Sequence, residues 1–208
     1  MYIEGRMLDF LDKLASSSPE PGGGAVSALV GALGAALVSM VANLTLGKEK
    51  YADVQHRIEE VLGQSEALRA RLQNLIQKDT EVYAVLAKAF KMPRETEEQK
   101  QERKQAVQLA LREATMVPFE IAQASVELAE LSETAALIGN LNAVSDAGVA
   151  AILAEAAGQC AALNVKINLV SIDDSAFVDE KWSAIKDILM HLGELREKVV
   201  KITYEKLG

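Results

Sequence analysis

Pro21-Gly22-Gly23-Gly24 stands directly before a charge-free run, Ala25 to Leu46. Glycine loses more backbone freedom on folding than any other residue, so three in succession point to a close backbone approach or unusual dihedrals. A glycine loop that opens a helix also presents unpaired N–H groups and the positive end of the helix dipole. One reading makes Gly22, Gly23 and Gly24 a wall of a small-molecule site. The other makes them a tight turn that lets two helices touch. Phosphate fingerprints do not fit. No Gly-Lys-Ser/Thr follows the glycines, and Ser27 stands where a dinucleotide motif needs its third glycine.

Two further groups could do chemistry. Asn140, Asn142, Ser145 and Asp146 surround a helix start. They either cap it, or leave the Asp146 carboxylate free to accept hydrogen bonds or to stabilise a cation. Asn43 and Thr45 sit late in one apolar segment, Asn164 and Asn168 late in another. Asn164 and Asn168 share a helix face. Buried amides need partners, so each must bond to backbone, to another amide or to a ligand. With Lys48 and Lys166 they could line a pocket between helices. His56 reads as a surface residue and His191 as a helix-packing one. They lie far apart in sequence and outside any metal-binding pattern, so no metal site is expected. No Ser/His or Cys/His constellation for nucleophilic catalysis is present.

These residues need helices to hold them, and no strand pattern competes. The chain reads as all-α. Met7, Leu8, Leu11 and Leu14 give a short first helix, closed by Ser16-Ser17-Ser18-Pro19. The second covers about residues 24–46, where Ser27, Gly31, Ala35 and Ser39 form a ridge of small side chains that admits another helix closely. Gly47-Lys48 reads as its stop. The third runs over about residues 53–90, with a bundle seam through Ile58, Val61, Leu72, Ile76, Tyr83 and Leu86. Pro93 and the charged residues 94–103 lead into a fourth helix, in which Pro118 predicts a kink rather than an end. Ser145 and Asp146 are expected to cap a fifth, largely apolar helix over residues 147–170, and Asp179 to begin an amphipathic sixth. The expected architecture is one domain over residues 1–208, a mostly up-and-down multi-helix bundle. Two nearly uncharged helices need more cover than one such chain supplies, which predicts a homodimer.

Composition agrees with a globular protein: of 208 residues 50% are hydrophobic, 25% charged and only 4% aromatic, which favours packed helices over β-sandwiches. A net charge of −8 argues against nucleic acid as a partner. Cys160, the single cysteine, reads as a small buried hydrophobe. The run Ala25 to Leu46 is long enough to span a bilayer, but its Ala, Gly and Ser content suits a helix buried in protein, so no membrane partner is expected. Met1 to Arg6 lacks a basic segment followed by an apolar one, and the reading is cytoplasmic.

Taken in order, Pro21 to Leu29, Met40-Val41-Ala42-Asn43-Leu44-Thr45, Lys48 and Tyr51 resemble the cyclodeaminase/cyclohydrolase family of folate enzymes. Gly139-Asn140, Ser145-Asp146 and Asn164-Val165-Lys166-Ile167-Asn168-Leu169 are similar to the same family's later motifs. The resemblance implies a helical-bundle dimer that binds a folate. Gly22, Gly23, Gly24, Ser27, Asn43, Lys48, Asn140, Asn164, Lys166 and Asn168 would contact it, with Asp146 as the catalytic carboxylate. Lys48 or Lys166 would attract the folate glutamates. It implies no cofactor beyond the tetrahydrofolate substrate. The reaction would be hydrolysis of 5,10-methenyltetrahydrofolate, or ammonia elimination from 5-formiminotetrahydrofolate. The chain shows no second domain for formimino transfer, which tilts the expectation towards the hydrolase. A non-catalytic helical scaffold and a folate-binding protein without turnover are the other readings.

Overall fold

A computed structural model describes residues 5–208, so the reading of the chain start falls largely on residues outside the described ones. Among the described residues six α-helices follow one another: α1 Met7–Leu14, α2 Gly23–Asn43, α3 Gln55–Phe90, α4 Glu97–Ile138, α5 Val144–Leu169 and α6 Ser175–Leu207. Short 3₁₀ turns occupy Glu49–Val54 and Leu141–Ala143. The all-α expectation holds.

α2 packs against α3, α4 and α5, and α6 closes the bundle against α4 and α5. Gly24 faces Asp79, Gly31 faces Leu72, and Ser39 Oγ lies 2.8 Å from Ser65 Oγ, so α2 and α3 run antiparallel. Ion pairs Arg71–Glu127 and Lys78–Glu120 set the same sense for α3 and α4. Gly148 against Thr203 and Gly158 against Leu192 set it for α5 and α6. The core is built from Leu72, Ile121, Leu128, Leu169, Ile185 and Leu192, all fully buried. Each such side chain stabilises the fold by roughly 1.5–3 kcal/mol.

The small-residue ridge does what its spacing implies. Ser27, Gly31, Ala35 and Ser39 are all buried. A Cβ placed on Gly34 would come within 2.7 Å of Leu128 Cδ2 and 3.3 Å of the Ala150 carbonyl oxygen. α2 therefore lies at near-backbone distance from α4 and α5, which larger side chains would forbid.

Several boundaries differ from the sequence reading. α2 ends at Asn43, and Gly47 takes φ +69° in the turn beyond it. α5 begins at Val144, with no side-chain cap on Ala143. Asn140 already organises the preceding turn, its Oδ1 accepting the Asn142 N–H at 3.1 Å. Ser145 and Asp146 thus fall inside the first turn of α5 rather than at its cap. α6 starts at Ser175, because Asp174 Oδ1 accepts the Phe177 N–H at 3.1 Å and caps it. α4 continues through Pro118. Proline there leaves the Ala114 carbonyl without its usual N–H donor, and Asn168 Nδ2 supplies a replacement at 2.9 Å.

Two side chains sit differently from expectation. Cys160 is exposed, because it lies on the outward side of α5. His191 is exposed between Glu130 and Glu194 at 4.0 and 3.8 Å, since the adjoining Leu192 takes the core position.

Substituting Gly34→Val should destabilise the protein by about 1–3 kcal/mol through overpacking, despite valine's better helix propensity. Urea unfolding of the two proteins measures the difference.

Candidate active site

The glycine end of α2 faces a cavity of about 270 Å³, at the lower end of the range for small-molecule sites. Four elements and one loop enclose it. The loop before α2 supplies Pro19, Glu20 and Gly22; α2 supplies Gly23 and Gly24. Asp79, Thr80, Val82, Tyr83 and Leu86 come from α3. Ala114 and Pro118 come from α4, and Asn164, Ile167 and Asn168 from α5.

Asp79 is the chemically distinctive member. A Cβ on Gly24 would overlap its carboxylate, so the missing side chain is what admits the carboxyl group to the start of α2. Burial holds the Asp79 carboxyl above the usual carboxylate range, while the Ala25 backbone N–H donating to it pulls the other way. Gly22 gives α2 no side-chain cap. Asp79 therefore satisfies a first-turn N–H from a neighbouring helix. A carboxyl group with its pKa raised by desolvation accepts a proton more readily than an ordinary carboxylate.

The asparagines stand one helical turn apart on the opposite wall. Asn164 Nδ2 donates to the Cys160 carbonyl at 2.8 Å. Asn168 Nδ2 is taken by Ala114. Both amide N–H groups are thus engaged in the protein, and the Asn164 head group lies 3.2 Å from a Cβ built on Gly23. Glu20 contributes a second carboxylate, and its Oε2 is buried with no hydrogen-bond partner in the protein. Among the described residues no lysine, arginine or histidine lines the cavity. A neighbouring depression also bordered by Thr80 carries Arg6 and Lys13.

The residues singled out in the sequence divide between two ends of the bundle. Gly22, Gly23, Gly24, Asn164 and Asn168 meet at the cavity. Ser27 lies one turn below, buried, its hydroxyl donating to the Gly23 carbonyl at 2.7 Å. Lys166 leaves the group, its ammonium lying 4.4 Å from the centre of the Trp182 ring on α6. Asn43 and Lys48 are exposed beyond the far end of α2, about 28 Å from Gly24 by helix rise. Asp146 begins α5, about 27 Å from Asn164 on the same basis.

Asn140 belongs to a knot at that far end. Its backbone N–H donates to Thr45 Oγ1 at 2.8 Å and its Nδ2 to the Leu44 carbonyl at 2.8 Å. Its Oδ1 accepts from the Asn142 N–H and, at 3.4 Å, from Tyr51 Oη. This network ties the end of α2 to the α4–α5 turn.

Asp79 and Glu20 were not singled out in the sequence. Asp79 carried a usable signal: it sits at a core position of the stripe Leu72, Ile76, Asp79, Tyr83, Leu86. Glu20 lies in a loop before proline and gave none.

No group of three or more His, Cys, Asp or Glu side chains able to hold a metal ion occurs among the described residues. The fold and its motifs match a known family across residues 6–187, that of formiminotransferase-cyclodeaminase. The chain belongs to the formiminotransferase-cyclodeaminase family. Within this family it is 43% identical, over 199 residues and 96% of both chains, to methenyltetrahydrofolate cyclohydrolase of Methylorubrum extorquens. It is 34% identical to formimidoyltransferase-cyclodeaminase of Mus musculus, aligning 86% of this chain with 33% of that longer one. The crystal structure of formiminotetrahydrofolate cyclodeaminase from Thermotoga maritima superposes over the full length of both chains, with a TM-score of 0.90 and 32% identity.

Gly24→Ala should push the Asp79 carboxylate off the start of α2, whereas Gly22→Ala meets nothing nearer than the Pro19 carbonyl at 3.6 Å. Carbon-detected NMR titration of Asp79 should show a changed midpoint in the first variant and the wild-type midpoint in the second.

Proposed function

We propose that this protein hydrolyses 5,10-methenyltetrahydrofolate to 10-formyltetrahydrofolate. The observation that carries the reading is Asp79, a carboxyl group raised by burial, held against a helix start, in a cavity lined among the described residues by two carboxylates and no basic side chain. End-to-end similarity to the Methylorubrum cyclohydrolase supports it. The methenyl bridge carries one positive charge spread over N5, the bridge carbon and N10. An acidic lining favours that cation over the neutral product.

Water adds to the bridge carbon, and one of its protons passes to Asp79. The carbon is then tetrahedral, bonded to N5, N10 and a hydroxyl group. Asp79 returns its proton to N5 as the carbon–N5 bond breaks, and the hydroxyl proton leaves as the formyl carbonyl forms. One water is consumed and one proton is released overall. Asn164 and Asn168 retain carbonyl oxygens for N–H groups of the ring. Arg6 and Lys13 line a depression that shares Thr80 with the cavity and are the cations offered there to the folate glutamate. Asp146 then stands, with Asn140, at the far end of the bundle, away from the proposed chemistry.

Likeness to the Thermotoga cyclodeaminase favours a second reading. There N10 attacks the formimino carbon of 5-formiminotetrahydrofolate, its own proton passes to the formimino nitrogen, and protonated Asp79 donates the second proton with which that nitrogen leaves as ammonia. The two substrates, assayed side by side, separate the readings. Loss of the methenyl chromophore in enzyme supports hydrolysis, and its appearance with ammonia supports deamination. Asp79→Asn should lower turnover about 10²- to 10⁴-fold.

Stability should move the other way. A carboxyl group raised by burial is lost as a stabilising neutral group when pH climbs through its folded pKa. Asp79→Asn should therefore melt above wild type at pH 8, and at the same temperature well below pH 3.8, the usual aspartate value, where both side chains are neutral.

The working form in this reading is a homodimer. Two helical stretches, Gly23–Asn43 and Leu141–Leu169, are long and apolar enough to cross a membrane, and 61% and 50% of their apolar windows are buried in the bundle. What remains outside falls at two levels: Leu163, Ile167 and Val170 at the end of α5, 72%, 71% and 75% exposed, and, further along the bundle, Leu33 and Met40 of α2 with Val149 and Ile152 of α5. Exposed apolar surface of this kind marks an interaction face. Ile167 also lines the cavity, so a second copy seated there would border the site. Sedimentation equilibrium without detergent should return twice the chain mass, whereas dependence on detergent or lipid would favour a membrane instead.

A further inference from the structure

Glu20 is the cavity's unexplained group. One of its carboxylate oxygens is buried without any partner among the described residues. Leaving a buried charged acceptor unpaired is costly, so native proteins retain such a group where a donor arrives with a ligand. Its loop is held in place: Ser18 Oγ donates to the Glu20 carbonyl at 2.7 Å, and the Pro19 carbonyl oxygen lies 3.6 Å from a Cβ built on Gly22. The backbone is therefore anchored while the side chain is not. Asp79 differs, because the Ala25 N–H already occupies it.

We infer that Glu20 reads the amino edge of the substrate's pterin ring and sets folate specificity. The inference rests on the folate reading given above. That edge carries a ring N–H and an exocyclic amino group side by side. Two parallel donors match a carboxylate bidentately, as a guanidinium does. Among the described residues the cavity lining holds no cationic side chain that would compete for Glu20. Tyr83, Pro118 and Ile167 supply the flat apolar surfaces that a ring needs beside it. Glu20 is then a binding residue, and Asp79 keeps the proton transfer.

The test compares 5,10-methenyltetrahydrofolate with its 2-desamino analogue, using wild type and the Glu20→Gln and Glu20→Ala variants. Wild type should show kcat/KM about 10- to 100-fold lower for the analogue. In Glu20→Ala that ratio should fall to within about threefold of unity, with the loss for the parent substrate seated in KM and kcat little changed. Glu20→Gln, which keeps the shape of the side chain, should fall between. Thermal melts that match wild type confirm that the variants are folded. An unchanged ratio in Glu20→Ala overturns the assignment while leaving the enzyme reading intact. Absence of turnover in wild type with either one-carbon substrate overturns the enzyme reading itself, and the Glu20 assignment with it.

Discussion

A carboxylate stands at the start of α2 because that start has no side chains. Half-buried anions are unfavourable without compensation. Asp79 receives it from the Ala25 N–H and the positive end of the α2 dipole. Gly24 is the condition for this, since any side chain there would occupy the carboxyl position. The rest of α2 follows the same rule. Gly31, Gly34, Ala35 and Ser39 keep α3, α4 and α5 at near-backbone distance along its length. Close packing of α2 and admission of the carboxylate are one property of one helix.

The second wall depends on two local irregularities that cancel. Pro118 removes an N–H from the middle of α4, and Asn168 brings a spare amide at the end of α5. Each alone would be destabilising. Paired through the Ala114 carbonyl, they lock α5 against α4 beside the cavity. The contrast with Asn140 is informative. Every polar atom of Asn140 finds a partner in the protein, and the depression between Tyr51, Gly139 and Leu141 beside it is not lined by the Asn140 side chain. Asn164 and Asn168 spend only their N–H groups on the fold. Unspent carbonyl oxygens, rather than burial alone, mark the amides that face a ligand.

Helix number, order and sense were legible in the chain because apolar spacing and proline or glycine breaks report them directly. The small ridge of α2 and the shared face of Asn164 and Asn168 were legible for the same reason. Helix phase also separates Lys166 from them, since residues two apart point to different sides. Asp79 was harder. A single charge inside a long apolar seam resembles a tolerated surface position until the partner helix is seen to lack a side chain opposite it. Position along helices was the larger obstacle. Asp146 and the late asparagines share α5, yet about 27 Å of helix separates them. Motif order alone assigns them to one site; rise per residue assigns them to two ends.

Electrostatics then decides what the carboxylates can do in the proposed reaction. Two anions around a cationic substrate stabilise its bound form, and stabilising the bound substrate alone does not accelerate a reaction. Water addition followed by proton loss turns the cation into a neutral tetrahedral carbon, which removes the attraction. A fixed anion at Asp79 would then hold the reaction at its start. A carboxyl group that accepts the departing proton avoids this, because site and substrate lose their charges in the same step. The burial that raises the Asp79 pKa makes that transfer favourable. Glu20, with its unpaired oxygen and a separate place on the cavity wall, can stay charged throughout and hold the ring while the chemistry proceeds. The division between a carboxylate that gives up its charge and one that keeps it follows from what each touches: a helix start in one case, no partner in the protein in the other.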